Sequence, residues 1–370
     1  SPKLFVFDLD HLLILIFFLY EGAWVVAWVC LSVSATATPM GLGDYWTYNY
    51  VWTNNGGYAG QDADLGCDPD AVYLAVDDCD WWAFQRARIT CLEKSQVYAG
   101  AGSVRHEFFA MTNPGDGTLA YRIQAAEMHS DPGKYVLVNS KPYGGSILTL
   151  WEITGTAAAP VLNGYNIAVG AYDDPPNIMQ GNATYVECGD ARLHSAKYYS
   201  GRLWAAQTQR TNWGEADDRS AVELYLINTT TRALSEESGP LGAMGYYYSY
   251  PAVDFDPSDR GIVVFSRGGP AENLSIRHTD YTEGGSFGTS GLLRSGYAYY
   301  AEGNHAGTNA DPFFWGNYFG CDIERDGDNR TMWFYGQFAS DSPSPSWDTW
   351  VGAASFETAP ALSVTPVNSG

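Results

Sequence analysis

The chain has 370 residues, 45% of them hydrophobic, enough to bury a large core as one all-β domain or as two smaller ones. Its 42 acidic against 20 basic residues give a formal charge of -22, a surface that repels phosphate backbones and anionic lipid heads and so argues against nucleic-acid partners. Forty glycines and 15% aromatics suit short strands joined by tight turns, and no long segment carries a helical period.

Residues 1–37 stand apart from the remainder of the chain. From Leu12 to Val33 the sequence is almost wholly apolar, broken at Glu21, and Ala35-Thr36-Ala37 closes it with an A-x-A pattern. The segment reads as a secretory signal, or as a retained anchor or apolar element packed against other copies through residues 4–33. Either reading places the rest of the chain outside the cytoplasm, at the cell surface or beyond it. The opening words Leu4-Phe5-Val6-Phe7-Asp8-Leu9-Asp10 resemble the first motif of haloacid-dehalogenase-type phosphatases, in which two aspartates serve a magnesium ion. The resemblance covers about ten residues, and the chain lacks the alternating strand-helix body that would position Asp8 and Asp10.

Residues 38–60 read as a linker and a strand over 45–52, expected to close a ring by pairing with the last unit. From residue 61 to about 360 the chain is punctuated by similar words. Asp64-Leu65-Gly66-Cys67-Asp68 precedes a Pro-Asp turn and the apolar run Ala71 to Val76. Tyr250-Pro251-Ala252-Val253-Asp254 precedes an Asp-Pro-Ser-Asp turn and Gly261 to Phe265. Trp315 to Asp322 precedes a polar turn and Thr331 to Tyr335. Each word is a short strand with a small residue near its middle and an Asp at its exit, a tight turn, and a second strand rich in β-branched and aromatic residues. Recurrence of an all-β unit at wide spacing predicts a β-propeller, here of six blades with seven as the alternative. Between these words, strands are expected at 86–92, 105–111, 118–125, 134–138, 146–153, 183–188, 196–199, 202–208, 221–227 and 350–356. Residues 361–370 are expected to be a tail.

At these words the chain resembles secreted, sialidase-like β-propeller proteins, many of them without an assigned function, over most of residues 60–357. The resemblance implies a glycan ligand and, where catalysis occurs, glycoside hydrolysis. The repeated Ser-x-Asp-x-Gly-x-x-Trp boxes of true sialidases are missing. Tyr121-Arg122-Ile123 resembles part of their first arginine motif, but Arg122 reads more simply as a strand residue with its head in solvent.

Asp68, Asp254 and Asp322 leave the organising strands at what look like equivalent places, and a calcium ion would neutralise such a cluster; the simpler reading is that each caps its own turn. Asp322 to Asp328 alternates acids like a calcium loop, but Trp333 stands where a bidentate Glu is required, which favours a plain acidic hairpin. Cys67 and Cys321 occupy matching places and are disulfide candidates, or else small buried residues. Sequons at Asn182, Asn228, Asn273 and Asn329 point to a glycosylated surface. The aromatic clusters Trp81-Trp82, Tyr246 to Tyr248, Tyr297 to Tyr300 and Trp347 with Trp350 serve either blade packing or sugar stacking. The first functional reading is a non-catalytic extracellular propeller, a surface, matrix or filament component acting by binding or self-assembly. The alternative is a sialidase-like glycoside hydrolase or a glycan-binding propeller.

Overall fold

The computed structural model describes residues 3–5, 12–21, 24–36, 42–51, 59–80, 83–102, 105–128, 134–301, 305–316, 319–324, 331–341, 346–356 and 362–367. The described chain is mostly strand, with one short α-helix, α1 (Lys94–Tyr98), and a 3-10 turn at Leu42–Asp44. Among the described residues no helix is long and apolar enough to cross a membrane.

Strands β1 (Lys3–Phe5), β2 (Leu12–Glu21), β3 (Trp24–Ser34) and β4 (Tyr45–Val51) form one antiparallel sheet in chain order. The apolar N-terminal run is therefore a hairpin, Leu12 opposite Val33 and Glu21 opposite Trp24. Strand β4 pairs with β3, Trp28 opposite Val51 through Ser34 opposite Tyr45, rather than with the end of the chain as the sequence led us to expect. The reason is proximity: an apolar strand of 11 residues a short way upstream offers a pairing edge with little loop-closure entropy.

A second sheet runs β5 (Ala59–Cys67), β6 (Ala71–Asp80), β7 (Ala83–Glu93) and β8 (Arg105–Phe109). Strand β6 is buried on both faces through nine residues, which accounts for its unbroken apolar run up to Val76. After β9 (Gln124–Ala125) and β10 (Glu127–Met128), strands β11 (Lys134–Asn139), β12 (Gly144–Thr156) and β13 (Ala159–Asp173) join β9 in a third sheet. Residues 105–109 belong to the second sheet, and 118–125 supply only the two residues of β9, so the separate unit expected there does not exist. The long outer strand β13 is absent from the sequence-based expectations, because its alternation is diluted by exposed small residues such as Ala159, Gly164 and Ala168.

A short pair, β14 (Ile178–Met179) with β15 (Tyr185–Val186), leads to β16 (Leu193–Tyr199), β17 (Arg202–Thr211), β18 (Arg219–Asn228) and β19 (Ala233–Glu237), which run in order. Strands β20 (Tyr247–Phe255), β21 (Arg260–Gly269), β22 (Glu272–Thr282) and β23 (Gly291–Arg294) make the next sheet. The last comprises β24 (Gly320–Ile323), β25 (Thr331–Ser340), β26 (Ser346–Phe356) and β27 (Leu362–Val367). Strand β27, expected to be a tail, pairs along β26 from Val351 opposite Val367 to Phe356 opposite Leu362.

The chain divides into two compact units. The first contains residues 1–139 and 149–166, the second 140–148 and 167–370. In the first, Leu31, Val33, Leu65, Cys67, Val72, Leu74, Val76, Leu92 and Val97 form one buried cluster. In the second, Trp204 stacks on Phe255 with centroids 4.1 Å apart, within a cluster that takes in Val222, Leu224, Val253 and Phe265. Stacked aromatics of this kind add about 1 kcal/mol beyond the area they bury.

The three organising words are each the first hairpin of a sheet, but their registers correct the expected equivalence of the aspartates. Gly66 lies opposite Tyr73, Asp254 opposite Ile262 and Asp322 opposite Trp333. The hairpins close two residues later, where the amides of Asp68, Asp256 and Glu324 bond to the carbonyls of Ala71, Arg260 and Thr331 at 3.0, 2.9 and 2.8 Å. Asp68 thus corresponds to Asp256 and Glu324, and Asp254 and Asp322 to Gly66. Turns of different length between the paired strands hide this in the sequence.

Gly66 is small for a reason. A Cβ there would lie 1.3 Å from the Tyr135 hydroxyl, whose ring stacks on Tyr73 at 3.8 Å. Gly66→Ala is expected to lower unfolding free energy by about 1–3 kcal/mol through overpacking, whereas Gly102→Ala, which meets nothing within 4 Å, leaves it unchanged. Denaturant unfolding of the two variants beside the parent checks this.

Candidate active site

In the second unit, the starting ends of β16 and β20 each carry a bulge, between Leu193 and Ser195 and between Ser249 and Ala252. The second bulge holds Tyr250 at φ 53°, a left-handed conformation that bulky residues rarely adopt. Surrounding contacts fix it there. Its amide donates to Thr208 Oγ1 at 3.0 Å, its hydroxyl donates to the Glu187 carbonyl at 3.3 Å, and the His194 ring meets its edge at 5.3 Å. Gly316, at φ 107°, packs against the ring so closely that a Cβ would lie 2.1 Å from Cζ.

The segment beside Tyr250 brings the charges. Asp190 is buried and accepts from Arg192 in a fork, Nε to Oδ1 at 2.7 Å and Nη2 to Oδ2 at 2.6 Å, with the Arg192 amide adding a bond at 2.9 Å. Such a fork stabilises the ionised carboxylate. Asp174 comes directly after the end of β13 and is half-buried. Burial first, and then the charge of Asp190, push its carboxyl up to about 6, against the opposing pull of Arg210 and Arg192. Its Oδ1 is buried and has no hydrogen-bond partner. Arg210 donates from Nε to the Asp174 carbonyl at 2.9 Å and from Nη1 to Asp218 at 3.1 Å, which fixes the backbone that carries the acid.

Two carboxyl groups close enough to feel each other, one clamped by a guanidinium and the other keeping its proton up to about pH 6, are a donor and acceptor for general acid-base chemistry. Glu223 makes a useful contrast. It is fully buried, accepts from Gln209 at 2.7 Å and Ser238 at 3.1 Å, and burial pushes it up to about 8, with both oxygens engaged by those side chains. Its protonation is structural.

The residues singled out from the sequence fall elsewhere. Asp68 caps its own turn: Oδ1 accepts from the amides of Asp70 and Ala71 at 2.7 Å each, and Oδ2 from the Tyr73 hydroxyl at 2.9 Å. Asp254 accepts from the Ile323 amide at 2.7 Å, and Lys197 lies 3.9 Å from it and 3.6 Å from Asp322. Lys197, opposite Trp204, occupies in β16 the place of Asp254 and Asp322 in β20 and β24, so a lysine stands between the two acids where the sequence suggested calcium. Among the described residues no group of three or more acids, histidines or cysteines gathers as a metal site.

Arg122 corrects the solvent-exposed reading. It sits at φ 49°, is nearly buried, and pairs with Asp62 and, at 3.2 Å, with Asp77. Cys67 and Cys321 are both buried, Cys67 in the first unit and Cys321 in the second, where its thiol points at the Ile262 carbonyl. Of the sequons, Asn182 is exposed, Asn228 accepts from the amides of Thr230 and Thr231, and Asn273 donates weakly to the Gly296 carbonyl. Asn329, Asp8, Asp10, Trp81 and Trp82 lie outside the described residues, as do 325–330 of the acidic hairpin. Tyr247 and Tyr248 are core residues, while Tyr297 and Tyr299 are exposed.

Sequence reasoning missed Asp174, Asp190, Arg192 and Arg210. The Asp190-Ala191-Arg192 alternation was the available signal, since i and i+2 share a face in extended chain.

No family profile and no curated protein matches the chain. Among solved structures it is similar to the exo-β-1,3-galactanase of Phanerochaete chrysosporium, at 10% identity and TM-score 0.42, covering 86% of this chain and 67% of that one. It is similar to an exo-1,5-α-L-arabinanase from a bovine ruminal metagenomic library, at 10% identity and TM-score 0.39, over 84% and 98% of the two chains. It is also similar to a subtype N11 neuraminidase-like protein from a flat-faced bat strain, at 9% identity and TM-score 0.39, over 83% and 85%. These are β-propeller proteins of the sugar-processing kind, and the likeness does not single out one secreted sialidase-like family. The expectation of a non-catalytic surface, matrix or filament component is corrected by this set, which consists of sugar-processing proteins.

Because the folded state holds an extra proton on Glu223 between about pH 4.5 and 8, the stability it contributes is complete below the lower value and is lost as pH rises through the upper. Glu223→Gln is expected to remove a slope of about 1 kcal/mol per pH unit from unfolding free energies measured between pH 5 and 8.

Proposed function

We propose that the chain is a glycan-processing protein whose successive antiparallel sheets are the blades of a six-bladed propeller, and that Asp174 and Asp190 carry its chemistry. In this reading the Asp174 carboxyl donates its proton to a glycosidic oxygen as the bond to the anomeric carbon breaks. The Asp190 carboxylate, oriented by Arg192, takes the proton from an attacking water or attacks the anomeric carbon itself. Tyr250, fixed at the bulge between His194 and Gly316, forms the floor. The observation that supports the reading is the pairing of an unsatisfied, proton-retaining acid with a guanidinium-clamped carboxylate in one unit.

The sequons and the acidic surface fit an extracellular setting. A propeller that binds glycans without turnover is the second reading. It is favoured by the exposed faces of Tyr297 and Tyr299, which present flat apolar surface to a sugar ring.

Purified protein assayed on a panel of fluorogenic glycosides distinguishes the two. Turnover is expected, with kcat/KM falling on the alkaline side as Asp174 loses its proton near pH 6. Asp174→Asn and Asp190→Asn are each expected to lower it by about 100-fold or more while circular dichroism stays unchanged. Binding without turnover, or turnover unaffected by both substitutions, would overturn the catalytic reading.

A further inference from the structure

Nearly every described arginine is matched to an acid. Arg86 and Arg88 share Asp78, Arg192 holds Asp190, Arg219 holds Glu215, Arg260 holds Asp256, and Arg267 and Arg277 share Glu272. With acids outnumbering bases two to one, this is what charge complementarity would produce. Arg294, the last residue of β23, is different. It makes no ion pair and no hydrogen bond among the described residues, and its Nε is buried with nothing to donate to.

Aromatic rings hold it instead. The guanidinium carbon lies 4.1 Å from the Trp350 centroid, 5.1 Å from Tyr297 and 5.2 Å from Phe338. Tyr297 and Phe338 meet edge to face at 5.9 Å, and the Tyr297 amide is tied to the Ala339 carbonyl at 2.8 Å. Three rings orient the planar cation. A second donor nearby is also unused: Trp350 Nε1 is buried and has no partner. A buried donor left unmade is costly, so two on one aromatic platform point to an acceptor that the described residues do not supply.

The fork and the rings define the chemistry of that acceptor. A guanidinium fixed on a ring presents its N–H edge as a planar fork, which matches a carboxylate in bidentate geometry. Beside it, Tyr297 is half exposed, 50% of its surface facing solvent, a flat face on which a sugar ring can lie. We propose that Arg294, Trp350 and Tyr297 form a subsite for an acidic sugar, a hexuronate unit whose carboxylate pairs with Arg294 while its ring stacks on Tyr297. The proposal rests on the reading of this chain as a glycan-active protein and names the class of glycan.

Isothermal titration of the full chain with tri-galacturonate and with neutral galactotriose tests it without requiring turnover. The acidic trimer is expected to bind at least tenfold more tightly than the neutral one. That preference should weaken with added salt. Arg294→Gln is expected to abolish the preference, and Arg294→Lys, which keeps the charge but not the fork, to recover only part of it. The neutral trimer should bind both variants as it binds the parent, which also reports that they are folded. Equal affinity for the two trimers, or a preference that survives Arg294→Gln, overturns the subsite whatever the glycosidase assay shows. Loss of acidic binding in Arg294→Gln, together with an absence of turnover on any glycoside, would overturn the catalytic reading and leave the subsite standing.

Discussion

One extra residue near the start of a hairpin strand is the constraint on which the candidate site depends. In β5, β16 and β20 the ladder to the second strand slips by one place, at Asp62-Ala63, His194 and Tyr250-Pro251. Two of these bulged residues, Asp62 and Tyr250, take φ values of 45° and 53°. A bulge releases the local pairing, bends the strand and turns a side chain that would otherwise alternate into the stack. At Tyr250 the ring turns onto the segment that carries Glu187, Asp190 and Arg192. At Asp62 the carboxylate turns onto Arg122. Positive φ in residues with a Cβ is unfavourable by about 1–3 kcal/mol and persists only where surrounding contacts over-determine it. Thr208, the Glu187 carbonyl and two glycines provide those contacts for Tyr250.

Charge is distributed with similar economy at the other end of the same strands. Lys197, Asp254 and Asp322 stand at matched positions of β16, β20 and β24 in the second unit, and the single lysine serves both acids. In the first unit that position is Gly66, and the Tyr135 hydroxyl occupies the vacated space. The same backbone place thus carries a cation, an anion or no side chain, according to what the adjacent sheet brings to it.

How much of this was legible in the sequence depends on the range of the signal. The hairpins at 59–80, 247–269 and 320–340 were, because their alternation, apolar runs and polar turns are local. Pairing partners were less so. Residues 45–51 read as a strand, but nothing in their pattern says that β3 rather than the far end of the chain supplies the edge. The N-terminal run read as apolar, yet its β-branched and aromatic content, Val25, Val26, Val29 and Val33 among tryptophans, was the strand signal beneath. The site was nearly invisible. Asp174 looks like one more turn acid before two prolines, and only its neighbours lift it out of that class. Arg294 looks like any strand arginine until it is seen to pair with no acid among the described residues, and an absence of that kind exists only in three dimensions.

The pairing of β3 with β4 bears on how the molecule is handled at the bench. Leu31 and Val33 are fully buried alongside Leu65, Val72 and Leu74, and the Tyr48 hydroxyl donates to the Val97 carbonyl at 2.7 Å from the strand next to them. An expression boundary drawn after residue 37, where the A-x-A pattern invites one, would leave Tyr45–Val51 an orphan edge and open a wedge of hydrocarbon beneath it. Recombinant material trimmed in that way would be a different molecule from the 370-residue chain in its solubility.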